Sequence, residues 1–180
     1  MRPIFLIGYM GCGKTTLGRA VAAATGLHFI DLDEAIERHA GMTVTDIFRL
    51  HGESAFREAE AAMLREASTK TDVIIATGGG TPLRPGAMTM MNESGLTVWL
   101  QADVERLLAR LYQSEQRAKR PLLAGKSDRQ IRRTVIDGLN SRLPYYSQAA
   151  ITFDSSRLDT LNEIKRTTQK FIHLLETRNL

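Results

Sequence analysis

Three clusters in this chain have the residue types and spacing to do chemistry. The first is "GYMGCGKT", residues 8–15, which fits G-x-x-x-x-G-K-[ST] at every fixed position. Gly8, Gly11 and Gly13 free the backbone so that successive N–H groups can turn inward on a phosphate. A helix starting near Lys14 adds its positive end. Lys14 then reaches the β- and γ-phosphates, and the Thr15 hydroxyl binds Mg²⁺. A plain glycine-rich turn is the simpler alternative, but an apolar run precedes the motif and a helical pattern follows it, as phosphate binding requires. A dinucleotide-type G-x-G-x-x-G is excluded, because Thr16 stands where the third glycine would be. The second cluster is Asp31 and Asp33. Residues two apart share a side of an extended segment, so both carboxylates would face one edge. One suits Mg²⁺ and the other the proton of an attacking hydroxyl. A helix cap at Asp33 and a strand end at Asp31 are the competing readings. The third cluster joins Arg57, Glu60 and Gly78–Gly80. Arg57 and Glu60 are helical neighbours, and Arg57 borders an apolar face. A guanidinium oriented there by a carboxylate can receive a substrate carboxylate in bidentate fashion, whereas a surface ion pair would do little. The triplet offers bare backbone to a ligand where a turn alone needs one glycine.

Clusters so far apart in sequence need a fold that gathers them. Short apolar runs at 3–7, 28–30, 72–77, 96–100 and 150–154 read as strands, most of them unbroken as in strands buried on both faces. Helical patterns fill about 14–25, 33–40, 44–67, 84–93, 103–112, 127–146 and 157–177. In the third, Phe56, Ala59, Met63 and Ala67 share a face. In the last, Leu161, Ile164, Phe171 and Leu175 lie on or near one stripe. Strand–helix alternation predicts an α/β fold, a parallel sheet with helices on both faces. Ligands bind such sheets beyond the carboxyl ends of the strands, and the three clusters follow the first, second and third strands.

With 180 residues the chain suits one domain. No apolar run approaches a membrane span and no signal peptide is evident, which predicts a cytoplasmic protein. Cys12 is the only cysteine, so no internal disulfide forms. The net charge of +4 suits anionic ligands. Nucleic acid is disfavoured, since no basic stripe with interleaved aromatics accompanies that charge. Residues 112–127, "YQSEQRAKRPLLAGKS", have little periodicity and hold Arg117, Lys119 and Arg120. They are expected to form a mobile lid that closes over the nucleotide, excludes water and stabilises charge on the transferred group, with a solvated linker of ordinary surface charge as the competing reading.

The motifs "GYMGCGKTT", "DLD", "DIFRLHGESAFREAE", "ATGGG", "RPLLAG" and "RLPYY", in that order, resemble the shikimate kinase family over nearly the whole chain. The phosphate loop is shared by many families; the combination of the others is specific. The resemblance implies a three-layer α/β/α fold of the P-loop NTPase type, with a central five-stranded parallel sheet in the order 2-3-1-4-5 and a lid at about 112–126. It implies a single domain over 1–180, with a shikimate-binding helical segment at about 33–62. It implies transfer of the γ-phosphate of ATP to the 3-hydroxyl of shikimate, with Mg²⁺, in a cytoplasmic monomer that binds neither nucleic acid nor membrane. Carried over by position, Lys14, Asp33 and Arg120 are the catalytic residues, with Asp33 on the reacting hydroxyl and Arg120 reaching from the lid. ATP falls to Gly11, Cys12, Gly13, Lys14, Thr15, Thr16, Arg110, Arg120 and Arg157, and the metal to Thr15 and Asp31. Shikimate falls to Asp33, Arg57, Gly78, Gly79, Gly80 and Arg142, the two arginines holding its carboxylate. Tyr9 and Met10 differ from other members, and "DSSRLDT" lacks a proline often found near the adenine.

Other functions fit less well. A gluconate or nucleoside monophosphate kinase of the same architecture would not carry both "FREAE" and "RPLL". A nucleotide-dependent switch would need a γ-phosphate sensor, and no guanine-reading Asn-Lys-x-Asp is present.

Overall fold

The computed structural model describes residues 1–113, 123 and 125–178. Its five strands are β1 (Ile4–Ile7), β2 (His28–Asp31), β3 (Val73–Ala76), β4 (Leu96–Gln101) and β5 (Ile151–Asp154). All pair in parallel, in the order β2-β3-β1-β4-β5. The strands are where the apolar runs predict them. β1 and β3 occupy the middle of the sheet and are buried at every residue, which is why both read as unbroken apolar runs. Because β3 lies between β1 and β2, the chain leaves β1 in one direction and crosses back to β4 on its other side. That reversal opens a crevice beyond the carboxyl ends of β1 and β3.

Among the described residues seven α-helices cover the sheet: α1 (Lys14–Thr25), α2 (Leu32–Ala40), α3 (Val44–Ser68), α4 (Ala87–Ser94), α5 (Val104–Tyr112), α6 (Asp128–Tyr146) and α7 (Leu161–Glu176). Several boundaries have local causes. The helical pattern expected at 84–93 begins only at Ala87, because Pro85 and Gly86, the latter at φ 77°, punctuate it after a 3₁₀ turn at Thr81–Leu83. The pattern expected at 157–177 begins at Leu161, where Thr160 and Glu163 form a reciprocal capping box. Gly52 breaks α3 internally with φ 79° and ψ 176°.

The main core joins the sheet to its helices, with Phe5, Phe171 and Tyr146 among its largest fully buried side chains. A smaller cluster of Ile36, Ile47 and Phe56 ties α2 to α3 and shares Met63 with the main core's flank. Two predicted stripes shift. In α3 beyond Gly52 the buried positions are Phe56, Glu60, Leu64 and Ala67, while Ala59 and Met63 sit half-buried beside them. A charge at 60 hid the true centre of that face. In α7, Phe171 and Leu175 are buried but Leu161 is 86% exposed, because the first turn projects beyond the packed surface.

Candidate active site

The phosphate loop spans the turn from β1 to α1. Gly11 and Gly13 adopt φ of 80° and 95°, values that side chains resist. Close packing also excludes a side chain at Gly13, where a Cβ would lie 2.4 Å from Leu158 Cδ1. Lys14 folds back over its own loop, donating to the carbonyls of Gly8 (2.8 Å) and Tyr9 (3.2 Å). The Thr15 hydroxyl donates to Asp31 Oδ2 at 2.7 Å. Cys12 is buried and lines a separate cavity of about 150 Å³ with Tyr9 and Trp99. Its Sγ packs against Gly8, which has no Cβ to exclude it, and accepts from Lys14 Nζ at 3.8 Å.

Asp31 ends β2 and caps α2, its Oδ1 accepting from the Asp33 N–H at 3.1 Å. The helix cap is thus Asp31 and not Asp33. Asp33 lies in the first helical turn, not in an extended segment, and both carboxylates still line one cleft. Burial first, then the negative charges of Asp31, Glu60 and Glu37, raise the Asp33 carboxyl to a pKa of about 6 against the pull of Lys14. A carboxylate poised there is a competent proton acceptor near neutral pH.

Arg57 and Glu60 form more than a surface pair. Glu60 is 1% exposed and accepts from Arg57 Nη1 at 3.0 Å and from the Thr81 hydroxyl at 2.6 Å. Arg57 also bonds Glu53, and its guanidinium lies 5.3 Å over the Phe56 ring. Burial works against its charge, but Glu60 and Glu53 outweigh that and raise its pKa. Its carbonyl accepts from the Arg84 guanidinium.

Each glycine of the triplet touches a different part of the site. A Cβ on Gly78 would lie 2.9 Å from Glu60 Oε1 and 3.3 Å from Asp33 Oδ1. Gly79 backs onto the phosphate loop, where a Cβ would lie 3.6 Å from the Gly8 carbonyl, and its own carbonyl accepts from the Tyr146 hydroxyl at 2.7 Å. A Cβ on Gly80 would lie 3.2 Å from Arg57 Nη1. The loop after β3 is therefore the hinge piece between carboxylate, phosphate loop and arginine. Gly78→Ala is expected to lower kcat/KM about tenfold or more, since the added methyl must displace the hydrogen-bonded Glu60 carboxylate and Thr81 hydroxyl and press on Asp33, and overpacking by one methyl costs roughly 1–3 kcal/mol. Steady-state kinetics and a thermal melt of the variant check this.

A cleft of about 600 Å³ runs along this rim, a volume suited to a nucleotide-sized ligand. It collects Gly11, Gly13, Lys14, Thr15 and Thr16 with Asp31, Asp33, Gly79 and Arg110. Arg110 is fixed by Asp159 (2.6 Å) and by the carbonyls of Gly11 (2.9 Å) and Ser156 (2.8 Å). Arg57 sits beside the cleft on Gly80. Neither Arg142 nor Tyr9 lines the cleft; the Arg142 guanidinium lies 5.0 Å over the ring of Tyr9, the residue before Met10 on the cleft wall. Arg157 is not brought in. It is exposed, and Leu158 and Asp159 line the cleft instead. The Thr167 hydroxyl holds the Arg157 carbonyl at 2.6 Å, and Leu158 turns inward onto Gly13. Arg120, with Arg117 and Lys119, lies outside the described residues. Glu60, as a fully buried anchor, was signalled only by its spacing from Arg57. Thr81 carried no sequence signal, and Tyr146, Leu158 and Asp159 were marked only as members of the quoted segments "RLPYY" and "DSSRLDT", since only the folded chain shows what they touch.

A phosphate-binding loop at the switch point of a parallel sheet, with a poised carboxylate across from its lysine, defines a phosphotransferase of the P-loop class acting on a small molecule. The shikimate kinase family model matches residues 10–175. A shikimate kinase from Parabacteroides distasonis is 42% identical, over 97% of this chain and 100% of its own. The crystal structure of shikimate kinase from Bacteroides thetaiotaomicron superposes with a TM-score of 0.92 at 41% identity, covering 97% of this chain and 98% of that one. Shikimate kinase from Acinetobacter baumannii, solved in complex with shikimate, gives 0.85 at 32% identity, covering 100% and 96%. The chain belongs to the shikimate kinase family. Its reaction is transfer of the γ-phosphate of ATP to the 3-hydroxyl of shikimate, giving shikimate 3-phosphate and ADP.

Proposed function

We propose that the division of labour in this reaction follows the geometry of the rim. The observation that carries it is the meeting of Lys14, Thr15, Asp31 and Asp33 in one cleft, with Arg57 seated on the adjoining Gly80. The amides of the phosphate loop and Lys14 hold the β- and γ-phosphates, and Lys14 leaves its loop carbonyls to do so. Asp33 aligns the 3-hydroxyl and accepts its proton as the oxygen attacks phosphorus. Arg57 and Arg142 hold the shikimate carboxylate, which fixes the ring so that one hydroxyl meets Asp33. Gly78, Gly79 and Gly80 let the substrate approach the backbone. Arg110 bounds the nucleotide end of the cleft, beside Leu158 and Asp159.

Magnesium fits the residues present. Thr15 Oγ1 and Asp31 Oδ2 are hard oxygen donors 2.7 Å apart. Mg²⁺ needs only one or two protein oxygens when phosphates and water complete its shell. Among the described residues no group of three or more His, Cys, Asp or Glu forms a dedicated metal cage. Thr15 directly, and Asp31 directly or through water, would hold the ion. When bound it neutralises charge on the β- and γ-phosphates.

The remaining parts of the reading are a cytoplasmic monomer, one domain, an acid-binding segment at about 33–62 and a lid at about 112–126 carrying Arg120. The separate small core that joins α2 to α3 supports the segment as a semi-independent unit. Among the described residues no helix is long and apolar enough to cross a membrane. Coupled-assay kinetics test the whole. ADP release is expected only when shikimate and Mg²⁺ are both present, and to fall to background when EDTA removes the ion. ADP release at the same rate without shikimate would overturn the reading.

A further inference from the structure

We propose that Tyr9 is a positioning residue for the acid half of the site, its ring seating the Arg142 guanidinium while its backbone serves the nucleotide half. The inference rests on Arg142 holding the substrate carboxylate. The two arginines of that clamp are held in opposite ways. Arg57 is oriented by two carboxylates, Glu53 and Glu60. Arg142 has no carboxylate partner among the described residues. Its Nη1 donates to the Gly138 carbonyl at 2.9 Å, its Nε is buried without a hydrogen-bond partner, and its Cζ lies 5.0 Å from the Tyr9 ring centroid. An aromatic face attracts a cation without cancelling its charge. Arg142 is therefore fixed in place with its charge left for a ligand, whereas Arg57 already shares its charge with two anions.

The seat is built to hold its shape. Tyr9 is 3% exposed, and its hydroxyl donates to the Thr134 carbonyl at 3.3 Å, on the helix that also carries Arg142. Gly138, one turn before Arg142, leaves the space the ring occupies. A Cβ there would lie 2.4 Å from Tyr9 Oη and 2.8 Å from Arg142 Nη1. The Tyr9 backbone faces elsewhere: its carbonyl accepts from Lys14 Nζ and from the Cys12 N–H, both at 3.2 Å. Changing the side chain therefore alters the support of Arg142 and leaves the Lys14 contacts in place.

The test is the KM for each substrate, with kcat, in Tyr9→Leu, Tyr9→Phe, Gly138→Ala and Arg142→Ala. Loss of the ring face in Tyr9→Leu is expected to raise the KM for shikimate about tenfold, with the KM for ATP within about twofold, the scale of a partly desolvated cation–π contact. Tyr9→Phe keeps that face and is expected to return the shikimate KM to within about threefold of the parent value. Gly138→Ala pushes ring and guanidinium apart with the phosphate loop unaltered. It is expected to reproduce the selective shikimate effect, and it decides the matter if Tyr9→Leu does not fold. Parallel rises in both KM values, or an unchanged shikimate KM in folded Tyr9→Leu or Gly138→Ala, would overturn the seat. The two readings fail differently. A silent Arg142→Ala removes the clamp itself, whereas a strong Arg142→Ala effect beside a silent Tyr9→Leu removes only the role of Tyr9.

Discussion

Asp33→Asn is expected to lower kcat by at least ~10²-fold, the range for loss of a general base, and at the same time to stabilise the free protein at neutral pH. Both follow from one property. The folded chain holds the Asp33 carboxyl at a pKa of about 6, against 3.8 for an unperturbed one, chiefly through burial and the nearby Asp31. Between those values the native state binds a proton that the unfolded chain has released, so the contribution of this group to stability falls as pH rises from about 4 to about 6. Above pH 6 the folded protein carries an ionised carboxylate that its surroundings disfavour. The full shift corresponds to about 3 kcal/mol at 1.36 kcal/mol per unit, and partial exposure reduces that to about 1–2 kcal/mol. An amide of the same shape avoids this cost. Melting curves across pH should therefore show the variant ahead of the parent at pH 7.5, with the gap closing as pH falls below 6. The same ionisation predicts that kcat/KM for shikimate climbs with pH through about 6 and then levels, because the base must be unprotonated to act. A variant with near-parental turnover would remove Asp33 from the chemistry. One that lost both activity and stability would show that its carboxylate is structural.

What could be read from the sequence divides along physical lines. The five strands were legible because β1 and β3 are covered on both faces and their sequences carry little else than apolar residues. The phosphate loop was legible because its spacing is dictated by local backbone geometry: Gly11 and Gly13 do occupy positive φ, and Lys14 does begin a helix. Asp31 and Asp33 were found for a partly mistaken reason. They converge because a helix cap turns Asp33 back over the cleft, not because an extended strand aligns them. Glu60 shows where pattern reading stops. A glutamate at the centre of a buried stripe looks like a break in that stripe until Arg57, on its own helix, and Thr81, from a distant loop, are seen to satisfy it. Arg157 shows the converse. The family resemblance places it beside the nucleotide, but its side chain is exposed, and the next two residues, Leu158 and Asp159, line the cleft.

Arg57→Ala tests whether the glycine-backed arginine binds substrate or merely neutralises its neighbour, and its two expected effects can be separated. Loss of a charge-assisted bidentate contact to the shikimate carboxylate should raise the KM for shikimate by about 10²-fold or more, a buried charged pair being worth roughly 2–5 kcal/mol on truncation. The KM for ATP should change little, because Arg57 lies on Gly80 and not among the residues lining the nucleotide cleft. The same truncation strips Glu60 of its cation. Glu60 is 1% exposed and would keep only the Thr81 hydroxyl, so a loss of up to about 3–5 kcal/mol in stability is expected. For a domain of this size that means a drop in Tm of order 10 °C. A second substitution distinguishes the causes. Arg57→Ala with Glu60→Gln removes the uncompensated charge while leaving a group that can still meet Thr81, and should recover much of the Tm. It should recover none of the shikimate affinity, since the guanidinium is still missing. If affinity returns with stability, Arg57 serves the fold alone. If both substrates weaken equally in the single variant, the carboxylate is held elsewhere.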